Sequence, residues 1–302
     1  MIAVQRHLAR RATRCHGARR RVAACAGAIA LLATGASCSS TSSGLDGAAA
    51  ASSTVLSTST STTASTSSTS TSTTTTTEPL PPDFLGEQTI GTSVEGRPLT
   101  AWHRGTSGGV VMLVVGVIHG DEDAGLAILD EMTDVELPPN LDLWVLPAIN
   151  PDGVAHQVRG NAHGVDLNRN FPHDWGPIAE PGDWEYAGTG PASEPETAAF
   201  VEFATQLRPT LTLWYHQDLY CITPSKGRDR LLRLEYSQRS GLPVESVTGG
   251  TYTGVAATWV RTEVSDAMSF IVELGPTVPA DELVRHVDAL LAVGAMLSTG
   301  DY

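Results

Sequence analysis

The chain has 302 residues and a formal net charge of −14 at pH 7. The imbalance is concentrated after residue 77, where 32 acidic residues face 12 basic ones. Such a field repels nucleic acid, so we expect no nucleic-acid partner. Cys221 is the only cysteine after residue 38, which excludes a disulfide within the domain, and we expect it to be an apolar filler.

The first 37 residues are typical of a secretory leader. Residues 6–21 contain seven arginines and no acidic residue, and an apolar run follows at residues 22–33. That run is too short to predict a membrane span. Small residues before Cys38 resemble a lipoprotein signal, in which lipidated Cys38 would attach the protein to a membrane, and simple secretion is the alternative. We therefore expect a secreted or cell-envelope protein.

Residues 38–83 are predicted to be a disordered stalk. Ser, Thr, Ala and Gly dominate this segment and cannot offset the entropy of ordering, and a proline-rich exit, EPLPPD, ends it. The remainder, residues 84–302, is long enough for one well-filled domain. The predicted organisation is a leader at 1–37, a stalk at 38–83 and a catalytic domain at 84–302.

Alternating strand and helix patterns predict an α/β fold. Two short strands flank the turn at 95–97, and a capping box at Ser193 and Glu196 predicts the start of a helix. The other expected elements are a strand at 110–118, a helix after Glu122, a strand at 141–150, a loop at 151–191, a helix to about Leu207, a strand at 210–218, a helix at 227–240, a strand at 268–275 and a helix at 280–298. This order predicts a single domain with a mixed, largely parallel central sheet flanked by helices.

Four polar residues stand at the ends of predicted strands: His119, Asn150, His216 and Glu273. Ligands of parallel sheets gather beyond the carboxyl ends of the strands. Each of these residues has a structural alternative as a hydrogen-bonded core residue. Their shared placement nevertheless predicts a functional site at one edge of the sheet.

The spacing His119-x-x-Glu122 directly follows an apolar strand, and His216 ends another. Hydrolytic zinc sites use three protein ligands and leave one position open for water. Two imidazoles and one carboxylate satisfy that requirement. We therefore predict one Zn²⁺ per chain, bound by His119, Glu122 and His216.

Glu273 is embedded in apolar sequence, where an unpaired carboxylate is costly, so a functional role as general base is favoured. Arg159 and Arg169 lie in the long loop of a strongly acidic domain. Arginine suits carboxylate binding and oxyanion stabilisation, although solvated loop charges are the ordinary alternative.

An ordered set of motifs resembles the zinc carboxypeptidase family, particularly its bacterial members. The motifs cover roughly residues 88–275 and are IGTSVEGRPL, GVIHGDE, INPDG, R-x-N-x-x-GVDLNRNFP, SEPET, WYHQ and FIVELG. The family includes carboxypeptidases and the murein peptide amidases that cut γ-D-glutamyl-diaminopimelate bonds. The resemblance therefore implies a zinc-carboxypeptidase-like fold and a metallopeptidase activity.

The resemblance also implies a role for individual residues. Zinc would be held by the three ligands named above, and Glu273 would act as general base and then as acid. Arg159 would polarise the scissile carbonyl, while Asn168 and Arg169 would hold the terminal carboxylate of the substrate. Asp166 would support a zinc-binding histidine.

The chain departs from the family at one position. Family carboxypeptidases have a mobile tyrosine ahead of the strand that carries the glutamate, and Tyr252 in GGTYTG is the nearest candidate here. His163 and His173 fall on no ligand position of the family and are expected on the loop surface. Asp121 and Asp123 are expected to be local hydrogen-bond acceptors.

Two other functions compete with a zinc hydrolase. A serine hydrolase would use the G-x-S-x-G match at 105–109, but a nucleophile elbow needs a strand before it and a helix after it, and here a strand follows. The second is a non-catalytic module that binds peptides or cell wall with the same fold. Hydrolysis of a peptide or γ-glutamyl amide next to a free carboxylate is the favoured function. The substrate would be a peptide or muropeptide, and a monomer is expected.

Overall fold

The computed structural model describes residues 81–250 and 252–302. The predicted leader, and all but the last three residues of the predicted stalk, lie outside the described residues. Asp83 already belongs to the fold, because its Oδ1 accepts hydrogen bonds from Arg104 Nε at 2.9 Å and Nη2 at 2.7 Å. None of the helices in these two ranges combines the length and apolar character needed to cross a membrane.

A seven-stranded mixed sheet forms the centre of the domain, with strand order β1-β2-β4-β3-β5-β7-β6. The strands are β1 (Phe84–Thr92), β2 (Pro98–Gly105), β3 (Val110–Val115), β4 (Leu141–Leu146), β5 (Leu211–Gln217), β6 (Cys221–Ile222) and β7 (Met268–Leu274). Strands β4, β3, β5 and β7 are parallel, whereas β1, β2 and β6 are antiparallel additions at the edges. The predicted mixed, largely parallel sheet is confirmed.

Helices cover both faces of the sheet. They are α1 (Ala124–Glu131), α2 (Pro151–His156), α3 (Pro195–Leu207), α4 (Arg230–Ser240), α5 (Ala256–Glu263) and α6 (Ala280–Thr299). One apolar core lies between the sheet and α1, α4 and α6, and a second lies between the sheet and α3 and α5. Because β3 and β5 are buried on both faces, their sequences are almost continuously apolar.

The strands end close to the predicted site. The ladder of β3 and β4 stops at Val115 and Leu146, a few residues before the predicted strand ends. The two chains stay joined beyond it, since Ile149 N donates to Val117 O at 2.9 Å. After β3 and β4 the backbone is irregular, so it can turn at the carboxyl edge of the sheet, where the predicted site lies.

Two sequence predictions about the elements are wrong, and one helix was not predicted. The predicted loop at 151–191 contains α2, and α5 was not predicted. Helix α3 begins at Pro195 without a side-chain cap, so Ser193 and Glu196 form no capping box. Instead, Glu196 Oε1 accepts from Val94 N at 3.0 Å, because the packing of α3 against β1 brings a backbone donor to it.

Candidate metal centre and active site

His119 and Glu122 are held in a turn between β3 and α1. Glu122 N donates to His119 O at 3.0 Å, and Gln217 Oε1 accepts from Ala124 N at 2.9 Å. The turn is therefore tied to the end of β5, which carries His216. Residues far apart in sequence meet because the carboxyl ends of β3 and β5 are neighbours.

The three predicted ligands converge. His119 Nδ1 lies 2.8 Å from Glu122 Oε1, and His216 Nδ1 lies 2.9 Å from Glu122 Oε2. The ligand atoms all lie within 4.8 Å of one another. Two imidazole nitrogens and a carboxylate oxygen are a donor set of hydrolytic zinc sites, so these residues fit one zinc ion.

Asp166 fixes His119 from the opposite side of its ring. His119 Nε2 lies 3.0 Å from Asp166 Oδ1, which leaves Nδ1 to face Glu122. Burial alone would lower the pKa of His119, but the charges and hydrogen bonds of Asp166 and Glu122 together outweigh it and raise that pKa. Burial likewise opposes ionisation of Asp166, yet the charge of His119 holds the pKa of that carboxyl well below its usual range.

Glu122 is held in its charged form as well. Burial would raise the pKa of its carboxyl, but the hydrogen bonds to His119 and His216 bring that pKa well below the usual range. Gln217 N donates a further hydrogen bond to Glu122 Oε2 at 3.1 Å. A carboxylate kept ionised in a largely buried site is suited to bind a cation.

Arg159 reaches the same point from the long loop. Its Nε and Nη2 donate to Asp166 Oδ2 at 3.0 and 2.7 Å, and its Nη1 donates to Glu122 Oε1 at 3.1 Å. Asn150 positions the loop, because its Nδ2 donates to Arg159 O at 3.2 Å and to Ile118 O at 3.1 Å. Asn150 therefore has a structural role, since it links the segment after β3 to the loop that carries Arg159.

Glu273 lies opposite His216 in the register of β5 and β7. Its side chain is half-buried beside the ligands, and burial raises the pKa of its carboxyl, with the charge of His216 opposing. A carboxylate at this position, with a pKa raised above its usual value, is suited to accept and return a proton.

Asn168, Arg169 and Tyr252 line the cleft that also contains the three ligands. Asn168 Oδ1 accepts from Ala256 N at 3.0 Å, and Arg169 Nη2 donates to Glu185 Oε1 at 2.7 Å. The Arg169 guanidinium lies 5.4 Å from the centre of the exposed Tyr252 ring. The cleft has a volume of about 850 Å³ and also contains the three ligands, Arg159 and Glu273.

Sequence reasoning missed Trp184, Glu185 and Gln217. Trp184 is exposed and lies 4.6 Å from the Arg159 guanidinium, so it forms part of the cleft wall. Trp184 and Glu185 stand in an irregular loop, and no strand end or motif marks them. Gln217 directly follows the predicted ligand His216, and this position in the sequence could have indicated that it lies at the site.

The remaining candidates lie elsewhere. His163 is mostly exposed and lies 2.7 Å from Glu194, and His173 lies 2.8 Å from Glu263. Ser107 is exposed on the turn between β2 and β3, with no helix after it, so it does not form a nucleophile elbow. Cys221 is buried.

Comparison with known proteins places this arrangement in a family. The model of the zinc carboxypeptidase family matches residues 71–224, about half of the chain. Murein peptide amidase A of Escherichia coli (strain K12) is 29% identical over 185 residues, covering 58% of this chain and 76% of that protein. Murein peptide amidase A of Vibrio campbellii is 26% identical over 216 residues, covering 68% of this chain and 86% of that protein.

Solved structures share the fold. Murein-tripeptide amidase MpaA from Escherichia coli O157 aligns with a TM-score of 0.58 and 24% identity, covering 72% of this chain and 93% of that one. Carboxypeptidase A from Helicoverpa armigera aligns with a TM-score of 0.60 and 20% identity, covering 72% and 69%. With a metal-binding cluster of matching chemistry at the sheet edge, the chain belongs to the zinc carboxypeptidase family and is a zinc hydrolase.

Proposed function

We propose that the protein hydrolyses the amide bond that precedes a residue with a free terminal carboxylate, in a peptide or a muropeptide. The observation that carries this proposal is the grouping, in one cleft, of a three-donor metal cluster, the half-buried Glu273 and two arginines. The names of the relatives, murein peptide amidase and carboxypeptidase, describe reactions of this kind.

The ligands His119, Glu122 and His216 would hold the zinc ion. When bound, zinc acts as a Lewis acid on the scissile carbonyl and lowers the pKa of the attacking water. Glu273 would take a proton from that water and deliver it to the leaving nitrogen as the C–N bond breaks. The products are a new carboxylate and a free amine, so atoms and charge balance.

The arginines would divide two tasks. Arg159 touches Glu122 and would stabilise the negative charge that develops on the carbonyl oxygen. Arg169 and Asn168 would bind the terminal carboxylate, since guanidinium groups bind carboxylates with charge-assisted hydrogen bonds. Tyr252, above Arg169, would close over the bound residue.

The experiment that tests this proposal compares two substrate sets with the same protein. A muropeptide mixture and a library of C-terminal peptides would be digested with and without a chelator, and the released residues identified by mass spectrometry. We expect chelator-sensitive release of a C-terminal residue from at least one set. Cleavage only at internal bonds, or cleavage that a chelator does not affect, would contradict the proposal.

Export of the domain is a separate proposal, which the predicted leader supports. A muropeptide substrate would be met in the cell envelope, and lipidation of Cys38 would retain the protein there. Replacing Cys38 with Ala should move the protein from the membrane fraction to the soluble one. If the wild type and the Cys38→Ala variant are found in the same fraction, the protein is secreted without a lipid anchor.

A further inference from the structure

The far end of the cleft is positively charged, although the domain as a whole is strongly acidic. Arg233 of α4 and Arg261 of α5 both line the cleft. Their guanidinium groups donate to the carbonyl oxygen of Ser269, at 3.3 and 3.1 Å. Within β7, strand β6 pairs only with Val272 and Glu273, so it leaves the part of the β7 edge at Ser269 open to the two arginines.

Arg233 has no hydrogen-bonding capacity left. Its Nε donates to Asp229 Oδ2 at 2.7 Å, and its Nη2 lies 2.6 Å from the same oxygen. Its Nη1 donates to the carbonyl and hydroxyl oxygens of Thr223, both at 2.8 Å. The side chain is buried, so Arg233 is a structural cation whose charge Asp229 compensates.

Arg261 is different, because its charge has no such partner. One nitrogen donates to Ser269 O, and another donates to Thr258 Oγ1 at 2.9 Å. In residues 81–250 and 252–302, no carboxylate oxygen forms an ion pair with it within 4.0 Å, and three of its five N–H donors have no acceptor. Its side chain is exposed to the cleft. Desolvation of the guanidinium and the charge of Arg233 lower its pKa, and the charge of Asp229 opposes them only in part.

The position of Arg261 relative to Glu273 fits a side-chain pocket. Ser269, Ile271 and Glu273 alternate along one face of β7, so Ser269 lies about 13 Å from Glu273 along the strand. Ile271, between Ser269 and Glu273 on β7, lines the cleft, and so does the apolar side chain of Val255. A residue bound at the catalytic end could therefore extend an aliphatic side chain past apolar walls to a cation.

We propose that Arg261 binds a carboxylate on the side chain of the residue that the enzyme releases. This inference rests on the proposed function, because it assigns the far end of the same cleft to the released residue. A partly desolvated cation with free donors favours a carboxylate over a neutral group of the same shape. Glutamate carries such a group, and so does diaminopimelate, whose side chain ends in a carboxylate beside an ammonium.

Two matched substrate pairs test the proposal. Blocked dipeptides ending in glutamate or glutamine differ only in the charge of the side chain, and muropeptides ending in diaminopimelate or lysine differ only in the side-chain carboxylate. We expect the carboxylate member of at least one pair to have a kcat/KM roughly 10- to 100-fold higher. The pair that shows the preference identifies the source of the carboxylate.

Variants of Arg261 distinguish binding of the substrate carboxylate from a purely structural role at the edge of β7. In Arg261→Gln, the ratio of kcat/KM between the two members of the preferred pair should fall toward one. Arg261→Glu should favour a dipeptide ending in lysine, and a purely structural role of Arg261 would not produce that change. Arg239→Gln removes an exposed arginine on α4 that pairs with Glu235 and Asp288, and it should keep the wild-type preference. Equal rates within both pairs, or a preference that survives Arg261→Gln, would overturn the proposal.

Binding gives a readout that does not need turnover. Calorimetric titration of the zinc-loaded protein compares free glutamate with glutamine and free diaminopimelate with lysine. The carboxylate member of at least one pair should bind more tightly, and Arg261→Gln should abolish the difference. If no substrate is hydrolysed but this difference is found, the proposed function fails and the role of Arg261 stands. If the two members bind equally in both pairs, the role of Arg261 fails whatever the enzyme hydrolyses.

Discussion

His119 shows how a single side chain is prepared for metal binding. Asp166 Oδ1 lies 3.0 Å from its Nε2, so that Nδ1 faces Glu122 and His216. Asp166 is fully buried and also accepts from Arg159 and from the backbone N–H of Asn168. One carboxylate therefore sets the ring orientation of a ligand and the position of the arginine together.

Loss of the Asp166 charge should weaken the metal site without removing a ligand. In Asp166→Asn, we expect zinc affinity to fall about 10- to 100-fold, because an amide holds the imidazole less firmly than a carboxylate. Competition with a chromogenic chelator measures this. Asp121→Asn, an exposed acid that lines the same cleft, is the control and should keep wild-type affinity.

The sequence allows some residues of the site to be predicted and hides others. His119, His216 and Glu273 are visible because a charged or polar residue interrupts an apolar strand at its carboxyl end. Trp184 and Arg261 are not visible, since a loop and a short helix bring them to the cleft only in three dimensions. The sequence also does not reveal that, among the described residues, Arg233 has a carboxylate within 4.0 Å and Arg261 has none.

At the level of elements, the turn after β3 depends on close backbone contact with α2. A Cβ added to Gly120 would lie 1.9 Å from the carbonyl carbon of Gly153, a distance that no packing tolerates. The contact brings the turn that carries His119 against the helix that Asn150 caps. Two glycines therefore allow one edge of the metal site to form.

A methyl group at Gly120 should disrupt both the fold and the site. We expect Gly120→Ala to lower the free energy of unfolding by at least about 2 kcal/mol, because backbone atoms must move apart. It should also weaken zinc binding. Gly176→Ala, where an added Cβ meets nothing within 4 Å, is the control in urea unfolding and should be nearly neutral.

The contact between α4 and α6 contains a buried histidine that makes stability depend on pH. His286 is fully buried, its Nδ1 lies 2.9 Å from Tyr236 Oη, and burial lowers its pKa to about 4, with the charge of Arg285 adding to the effect. Glu282, at 3.5 Å, is the acidic group nearest to it in the salt-bridge geometry.

A lowered histidine pKa gives a definite sign. Between pH 6.5 and 4 the unfolded chain binds a proton at this residue and the folded one does not, so acid favours unfolding, by up to about 3 kcal/mol. His286→Gln should therefore lose less stability than wild type over this interval. Urea unfolding at pH 6.5 and pH 4 measures the change in the free energy of unfolding. An equal loss in wild type and His286→Gln would contradict the assignment of this pH dependence to His286.

Local sequence rules predicted the long, apolar elements better than the short ones. Strands β3, β5 and β7 and helix α6 match their predicted segments within a few residues, because burial on both faces or on one stripe leaves a clear pattern. Helices α2 and α5, of six and eight residues, lack that pattern. At Ser193 the hydroxyl donates to Glu194 and also contacts Asn170, so a tertiary contact replaced the expected cap.

At the level of the whole molecule, the metal site joins parts of the chain that are far apart in sequence. Two ligands follow β3, and the third lies 94 residues after Glu122, on β5. A ligand that binds only the folded state stabilises it in proportion to the logarithm of its concentration. Zinc should therefore contribute to the stability of the entire domain.

Removal of the metal should lower the melting temperature of the domain. With free zinc at 1,000 times its Kd, the contribution is about 4 kcal/mol, which corresponds to a Tm difference of about 10 °C for a domain of this size. Calorimetry with and without a chelator measures the difference. His216→Ala lacks a ligand and should show little response to zinc.

The most direct test of the account concerns Glu273 and separates catalysis from metal binding. Turnover of the best substrate and bound zinc per chain would be measured side by side for wild type and Glu273→Gln, since the amide has nearly the same size but cannot accept the proton. We predict that kcat falls at least about 100-fold while one zinc per chain is retained. Turnover close to wild type in a zinc-loaded Glu273→Gln protein would contradict the assigned mechanism.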